Sequence, residues 1–293
     1  MAATPRPRRS VLYMPGANTR ALEKARSLPA DGLILDLEDA VAPDAKPGAR
    51  GNIAAALAAG GYGRRELVLR VNGLATPWGY EDLAAAARLP LDAVLLPKVE
   101  SADGVRQAEA VLAGAGAPAG LALWCMMETP LGVLHAEAIA AASPRVACLV
   151  LGTSDLTKDL HARHTRDRLP MLTALGLALL AGRAFRLGVL DGVHLDLGDD
   201  DGFAAACRQG RELGFDGKTL IHPKQIDAAN AAFAPAAEEV EWSRRIIAAH
   251  EEAQRAGKGI VLVDGKLIEN LHVEDAIRTV ALADEIAAMA ASR

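Results

Sequence analysis

Glu128 ends an apolar run, LALWCMMETPLG at 121–132, just where Thr129, Pro130 and Gly132 stop the chain from continuing as a strand. A second carboxylate, Asp155, closes the next apolar run, VACLVLGTSD at 146–155, in company with Thr153 and Ser154. Two carboxylates on neighbouring elements repel unless a proton or a cation sits between them. Oxygen donors of this kind suit Mg²⁺, which takes one or two carboxylates and leaves its other octahedral positions to water and substrate. Other runs end in the same way: Asp36, Glu38 and Asp39 after one, Arg70 and Asn72 after another, then Lys98 and Glu100, Asp191 and His194, and Lys218 and His222. Acids and bases converging on one place read equally as a ligand site or as a structural ion-pair network.

The elements that carry these residues are eight short β-rich runs: 10–16, 32–39, 66–73, 93–101, 121–129, 146–155, 187–196 and 215–223. They are nearly continuous in apolar residues rather than alternating, as strands covered on both faces are. Between them lie alanine-rich segments with helical spacing, such as NIAAALAAG at 52–60 and LHAEAIAAA at 134–142. Eight βα units predict an α/β fold, a closed TIM (β/α)8 barrel, whose strand C-termini carry the active site. No run ends in GxGxxG, which argues against a doubly wound open sheet. Residues 1–232 are assigned to the barrel. Residues 233–293 form a C-terminal helical extension, with helices over about 236–256 and 272–290 flanking GKGIVLVDGKLIEN at 257–270.

Composition narrows the function. The chain has 293 residues, 51% hydrophobic and 3% aromatic, enough for one large aliphatic core. Net charge is 32 − 37 = −5, and RPRR at 6–9 is the one dense basic stretch, which argues against nucleic-acid binding. MAATPRPRRS at the start reads as a frayed tail, and no run approaches the roughly 20 apolar residues of a membrane span. Cys125, Cys148 and Cys207 sit in apolar runs without CxxC spacing, so they read as buried thiols in a reducing, cytoplasmic setting. His161 and His164 read as solvated, Met126 and Met127 as core, and Asp199–Asp201 as a helix start.

Taken in order, RSVLYMPG, DGLILDLEDAVAPDAK, LVLRVNG, DAVLLPKVES, METPLGV, LGTSDLTKDL and FDGKTLIHPKQI resemble the citrate lyase β-subunit-like proteins within the HpcH/HpaI aldolases. That group includes malyl-CoA, β-methylmalyl-CoA and citramalyl-CoA lyases and malyl-CoA thioesterases. The resemblance implies a Mg²⁺-dependent enzyme, with Mn²⁺ as a substitute, acting on an acyl-CoA. Glu128 and Asp155 are implied as the metal ligands and Arg70 as the group that binds the substrate carboxylate and the developing oxyanion. Tyr13 and Lys24 are implied as coenzyme A contacts. Asn18 stands where the family often has a further basic residue. Ile221 and His222 lie near the thioester arm, with Ser154 and Glu128 also on the substrate side.

The implied reaction is cleavage of a 3-hydroxy-dicarboxylyl-CoA to an acyl-CoA and a 2-oxo acid. In the family's lyases an Asp on the C-terminal extension, in a DGKxVD context, handles the proton in a neighbouring subunit's site. Here DGKLIENLH places Glu269 at that position, with Asp264 earlier. The longer carboxylate brings in a second reading, hydrolysis of (3S)-malyl-CoA to malate and CoA; a third is a citrate lyase β-subunit acting on a carrier-bound citryl group. A homotrimer or hexamer is expected, with the extension lying over a neighbour, and with no nucleic-acid or membrane partner.

Overall fold

The computed structural model describes residues 6–255 and 261–292. The chain divides into two compact units, one of them Arg8–Phe233 and the other made of the chain from Ala234 on together with the described residues up to Pro7.

Eight parallel strands close the first unit into a barrel in sequence order: β1 Ser10–Pro15, β2 Gly32–Asp36, β3 Glu66–Arg70, β4 Ala93–Leu96, β5 Ala122–Met127, β6 Val146–Leu151, β7 Gly188–Asp191 and β8 Gly217–Leu220. The predicted (β/α)8 barrel is therefore what forms. Its helices are α1 Thr19–Lys24, α2 Lys46–Ala59, α3 Gly79–Ala86, α4 Ala102–Gly114, α5 Pro130–Leu134, α6 Ala136–Ala140, α7 Thr153–Asp159, α8 Leu172–Ala184, α9 Asp200–Leu213 and α10 Ile226–Phe233. Local chemistry sets their ends. Ser101 and Asp199 accept backbone N–H bonds at the starts of α4 and α9, and Gly214 ends α9 in the left-handed region.

Successive strand residues part to two cores, as a pleated strand requires. Leu12, Leu33, Leu35, Leu69, Val94, Leu123, Cys125, Leu149 and Val189 pack in the layer between barrel and helices. Val11, Ile34, Val68, Leu95, Trp124, Met126, Cys148, Val150 and Leu190 fill the barrel's interior. The interior is closed below by Arg8, whose guanidinium lies 4.8 Å from the Trp124 ring centroid and pairs with Glu66 at 2.7 Å. Arg9 pairs with the buried Asp31 at 2.8 Å. The expected frayed tail thus needs correction for Arg8, Arg9 and Ser10: these residues are built into the barrel floor, while residues 1–5 lie outside the described residues.

A second correction concerns strands seven and eight. Asp191 follows the parity of Val189 and Lys218 that of Leu220, so both turn toward the helices and not into the barrel mouth. There Asp191 accepts from Lys218 Nζ at 2.7 Å and from Arg168 Nη1 at 2.9 Å, and it touches α9 at Gly210. This is a buried structural ion cluster.

The second unit is built on α11 Ala237–Arg255 and α12 Asn270–Ala291, with a hairpin of β9 Val261–Val263 and β10 Lys266–Ile268. Residues 257–260 of the expected lid stretch lie outside the described residues. Asp264 and Gly265 make the hairpin turn, both with positive φ, and Asp264 pairs with Arg245 at 2.8 Å. Val263, Ile268, Val273 and Ala276 bury a small core with Ile246 and Ala253.

Candidate active site

Five consecutive strands deliver the charged groups to one part of the mouth, β2 giving Asp36 with Glu38 and Asp39 just beyond it. Arg70 ends β3, Lys98 follows β4, Glu128 follows β5, and Asp155 lies in the first turn of α7 after β6. Glu128 holds the inward parity of Trp124 and Met126, and Thr129 and Pro130 then start α5 at once, Thr129 accepting from Gly132 N at 3.0 Å. The strand stops after Glu128 because a cap and a helix N1 proline follow it.

Arg70 is clamped. Its Nε and Nη2 donate to the two oxygens of Asp36 at 2.7 and 2.6 Å, a bidentate pair that fixes the guanidinium plane. Nη1 stands 2.9 Å from Glu38 Oε2 as an ion pair and 3.3 Å from Asp39. One face of the plane lies 4.8 Å from the Tyr13 ring centroid, and the Tyr13 hydroxyl meets Met126 Sδ at 3.4 Å. Asp36 also accepts from the backbone of Glu38 and Ala40, and Lys46 Nζ donates to the carbonyls of Leu37 and Glu38 at 2.8 and 2.7 Å. The turn that carries Glu38 is therefore held from both sides. Lys46 had no role in the sequence reading.

Glu128 is 1% exposed, and its Oε1 accepts the backbone N–H of Lys98 at 2.7 Å. Lys98 takes φ 47°, the left-handed region that few side-chain-bearing residues adopt, and that conformation aims the N–H at the carboxylate. Gly152 is the other half of the cradle. A Cβ there would stand 2.3 Å from Glu128 Cβ and 2.5 Å from Oε2, so the glycine's missing side chain is the space that the carboxylate fills. Lys98 Nζ donates to Glu38 Oε1 at 2.6 Å and lies 3.4 Å from Asp155 Oδ2 and 4.0 Å from Glu128 Oε1. Ser154 Oγ is buried with no hydrogen-bond partner among the described residues.

The electrostatics are lopsided. In this network five carboxylates, Asp36, Glu38, Asp39, Glu128 and Asp155, meet two cations directly, Arg70 and Lys98, with Lys46 a third positive charge behind Asp36 and Glu38, so negative charge still exceeds positive. Burial, with help from the Glu38 charge and against Lys98, pushes the Glu128 carboxyl up to about 7. Burial likewise raises Glu38, and it raises the Tyr13 phenol. Lys98 is lifted although burial opposes it, because its bond to Glu38 and the surrounding carboxylates favour the ammonium. A pair of oxygen donors with surplus negative charge fits a hard divalent ion that needs few protein ligands. Among the described residues no group of three or more His, Cys, Asp or Glu is placed to hold a metal ion, so an ion held here would take most of its positions from water and substrate.

The HpcH/HpaI aldolase/citrate lyase profile matches residues 9–223. A (3S)-malyl-CoA thioesterase of Cereibacter sphaeroides is 50% identical over 292 residues, 100% of each chain. The chain belongs to the HpcH/HpaI aldolase/citrate lyase family. Its other relatives include the citrate lyase β-subunit of Escherichia coli K12, 36% identical over 90% of this chain and 89% of that one. Among solved structures, protein CitE of Mycobacterium tuberculosis in complex with magnesium, acetoacetate and coenzyme A superposes with a TM-score of 0.73 at 29% identity, covering 94% of this chain and 97% of that one.

Within this family member the sequence-predicted residues fall into three places. Tyr13, Arg70, Glu128, Ser154 and Asp155 belong to the mouth. Lys24 is exposed on the last turn of α1, while Ile221, 39% exposed, and His222 follow β8, which pairs with β1. His222 caps a short 3₁₀ turn by accepting from Lys224 N at 3.1 Å. Asn18 caps α1, accepting from Ala21 N at 3.0 Å, which is local work for the residue that replaces a base. Glu269 stands in the second unit, exposed at the N-cap of α12, where its N–H donates to His272 Nδ1 at 3.0 Å. The apolar and cap readings hold: Met126 and Met127 are core, Asp199 caps α9, and His161 and His164 are exposed.

Proposed function

We propose that this chain hydrolyses (3S)-malyl-CoA to malate and CoA with Mg²⁺ held by Glu128 and Asp155. The observation that carries the reading is 50% identity to a (3S)-malyl-CoA thioesterase along the whole of both chains. The cradle of Lys98 N–H and Gly152 around Glu128 and the clamped Arg70 support it.

Mg²⁺, for which Mn²⁺ can substitute at the same oxygens, supplies charge that polarises the substrate's carboxylate and hydroxyl oxygens. Arg70 presents a fixed guanidinium to the substrate's carboxylate and to negative charge that grows on oxygen during reaction; Asp36 keeps it from turning. Ser154 Oγ offers a buried hydroxyl to a substrate oxygen. Tyr13, Lys24, Ile221 and His222, on the β8–β1 side of the rim, are assigned to the CoA arm, and Tyr13 also lies 4.8 Å from the Arg70 guanidinium. Glu269, from the second unit of a neighbouring copy, takes the proton of a water that adds to the thioester carbonyl. The carbon–sulfur bond then breaks, Glu269 gives its proton to the leaving sulfur, and CoA departs as its thiol.

The second reading is carbon–carbon cleavage to an acyl-CoA and a 2-oxo acid on the same scaffold. It draws support from the fold's match to CitE in complex with magnesium, acetoacetate and coenzyme A. A carrier-dependent citrate lyase β-subunit is the third, at 36% identity. Assembly as a homotrimer or hexamer is part of the proposal. Within the second unit Leu262 and Leu267, paired across the hairpin, are 67% and 52% exposed, apolar surface of the kind that protein contacts cover. No helix among the described residues is long and apolar enough to cross a membrane, and the three buried free thiols support a cytoplasmic setting. Incubation with malyl-CoA and Mg²⁺, with free thiol and glyoxylate assayed together, tests the reading. Thiol with malate is expected; glyoxylate with acetyl-CoA would transfer the assignment to the lyase, and neither product would overturn both.

A further inference from the structure

The two cations of the mouth are held very differently. Arg70 is 7% exposed and locked by two bonds to Asp36. Lys98 has a fixed backbone, through its positive φ and its N–H bond to Glu128, but a side chain 47% exposed on a flexible stem. Its ammonium stands 2.6 Å from Glu38, 3.4 Å from Asp155 and 4.0 Å from Glu128. It therefore lies in the field of the same two carboxylates that are assigned to the metal. Like charges a few ångströms apart repel strongly at a protein surface, and a divalent ion doubles that repulsion.

We propose that Lys98 is a built-in competitor for the metal: ammonium and divalent ion share the charge of Glu128 and Asp155, so the lysine weakens Mg²⁺ binding and is left on Glu38 alone when the ion arrives. The inference rests on the Mg²⁺ reading of those two carboxylates. Glu38 is the residue that makes the exchange feasible, because its Oε1 already accepts the ammonium and can keep it after Asp155 turns to the metal. A lysine that merely propped the carboxylates in place would act in the opposite sense, since its removal would disorder the ligands and weaken binding.

Calorimetric titration of the full chain with MgCl₂ at low ionic strength separates the two. Lys98→Met and Lys98→Gln both remove the charge, and Lys98→Arg keeps it. Expected is Mg²⁺ binding at least about tenfold tighter in the Met and Gln variants than in wild type, with the gap narrowing in high salt, and near-wild-type affinity in the Arg variant. Melting in EDTA adds a readout independent of turnover: the uncharged variants should melt below wild type and regain the difference with Mg²⁺. The Gln variant carries the test if Met at this position folds poorly. Equal or weaker Mg²⁺ binding in both uncharged variants, beside a wild type that binds, overturns the role of Lys98 alone. A wild type that gives no binding heat and no Mg²⁺-dependent shift in melting overturns the metal reading and this inference with it.

Discussion

Glu128 and Asp191 are both carboxylates at strand ends of one barrel, 1% and 0% exposed, yet their surroundings are opposite. Asp191 is one acid between two bases, Lys218 and Arg168; these outweigh the burial that opposes its charge and hold its carboxyl below the usual range. Glu128 shares two bases with four other acids, and its carboxyl is pushed up to about 7. Burial alone therefore does not separate a functional acid from a structural one. Charge balance does: the Asp191 cluster is satisfied by its own chain, while the mouth has anionic charge in excess.

The largest effects should come from exchanging the two roles. Glu128→Ala or Asp155→Ala is expected to cut Mg²⁺-dependent thioester cleavage by about 10³-fold or more, while circular-dichroism melting in EDTA stays near wild type, since each removes one of few metal ligands. Asp191→Ala should do the reverse and lower stability by about 3–5 kcal/mol, because Lys218 and Arg168 would be left as uncompensated buried cations. A stable Asp191→Ala protein would break the contrast, as would normal turnover by Glu128→Ala at low Mg²⁺.

Arg70→Lys tests the clamp. An ammonium cannot make the paired bonds to Asp36 and still show a donor to substrate, so kcat/KM is expected to fall by about 10²-fold with little change in melting temperature. Unchanged affinity for a 2-oxo acid in a binding titration would remove Arg70 from carboxylate recognition.

The contrast between the two clusters also marks where sequence reading stops. Eight strands were legible because strands buried on both faces read as unbroken apolar runs. That same continuity hides which residues face inward, so Asp191 and Lys218 looked like mouth residues beside Asp36 and Arg70. Parity settles them, but parity needs an anchor, and none exists until Ile34 or Val189 is placed in one of the two cores. Arg168 was illegible for another reason: it reaches Asp191 from a loop, with a positive φ of 57°. Gly152 shows what composition conceals, since its function is an absent side chain. Glu128 and Asp155 stood out because each ends an apolar run, the same signal that Asp191 gives, so it marks strand ends without telling which of them carry a site.

Gly152→Ala should produce a smaller effect than loss of either ligand. The added methyl would overlap Glu128, so the carboxylate must rotate out of its cradle or lose the Lys98 N–H bond. We expect Mg²⁺ affinity by calorimetry to weaken about tenfold with the barrel intact, comparable to losing a supporting contact around a ligand. Wild-type affinity would mean that the cradle does not set the ligand's position.

The most graded effect is in pH, where the two acids should move in opposite directions. A carboxyl raised in the folded state keeps its proton while the unfolded chain, with an ordinary value of about 4.3, has already released one. Glu128 therefore contributes its full stability below about pH 4.3 and loses it as pH rises toward about 7, after which the contribution is flat. Asp191 has the opposite sign: its contribution is present above about pH 3.9, the unfolded value, and is lost as pH falls below that. Since a metal needs the ionised ligand, Mg²⁺ affinity should fall about tenfold per pH unit below about 7 and level off above it. Melting in EDTA between pH 5 and 7.5, for wild type and Glu128→Gln, together with Mg²⁺ titrations over the same range, checks the Glu128 sign; extending the melts of wild type and Asp191→Ala below about pH 4 checks the opposite sign for Asp191. The Gln variant should lose the Glu128 share of the decline of stability with rising pH, because it has no proton to release there, and keep the share due to the raised Glu38. If wild-type Mg²⁺ affinity is level from pH 5.5 to 7.5, Glu128 is ionised throughout, and the mouth is as well compensated as the cluster around Asp191.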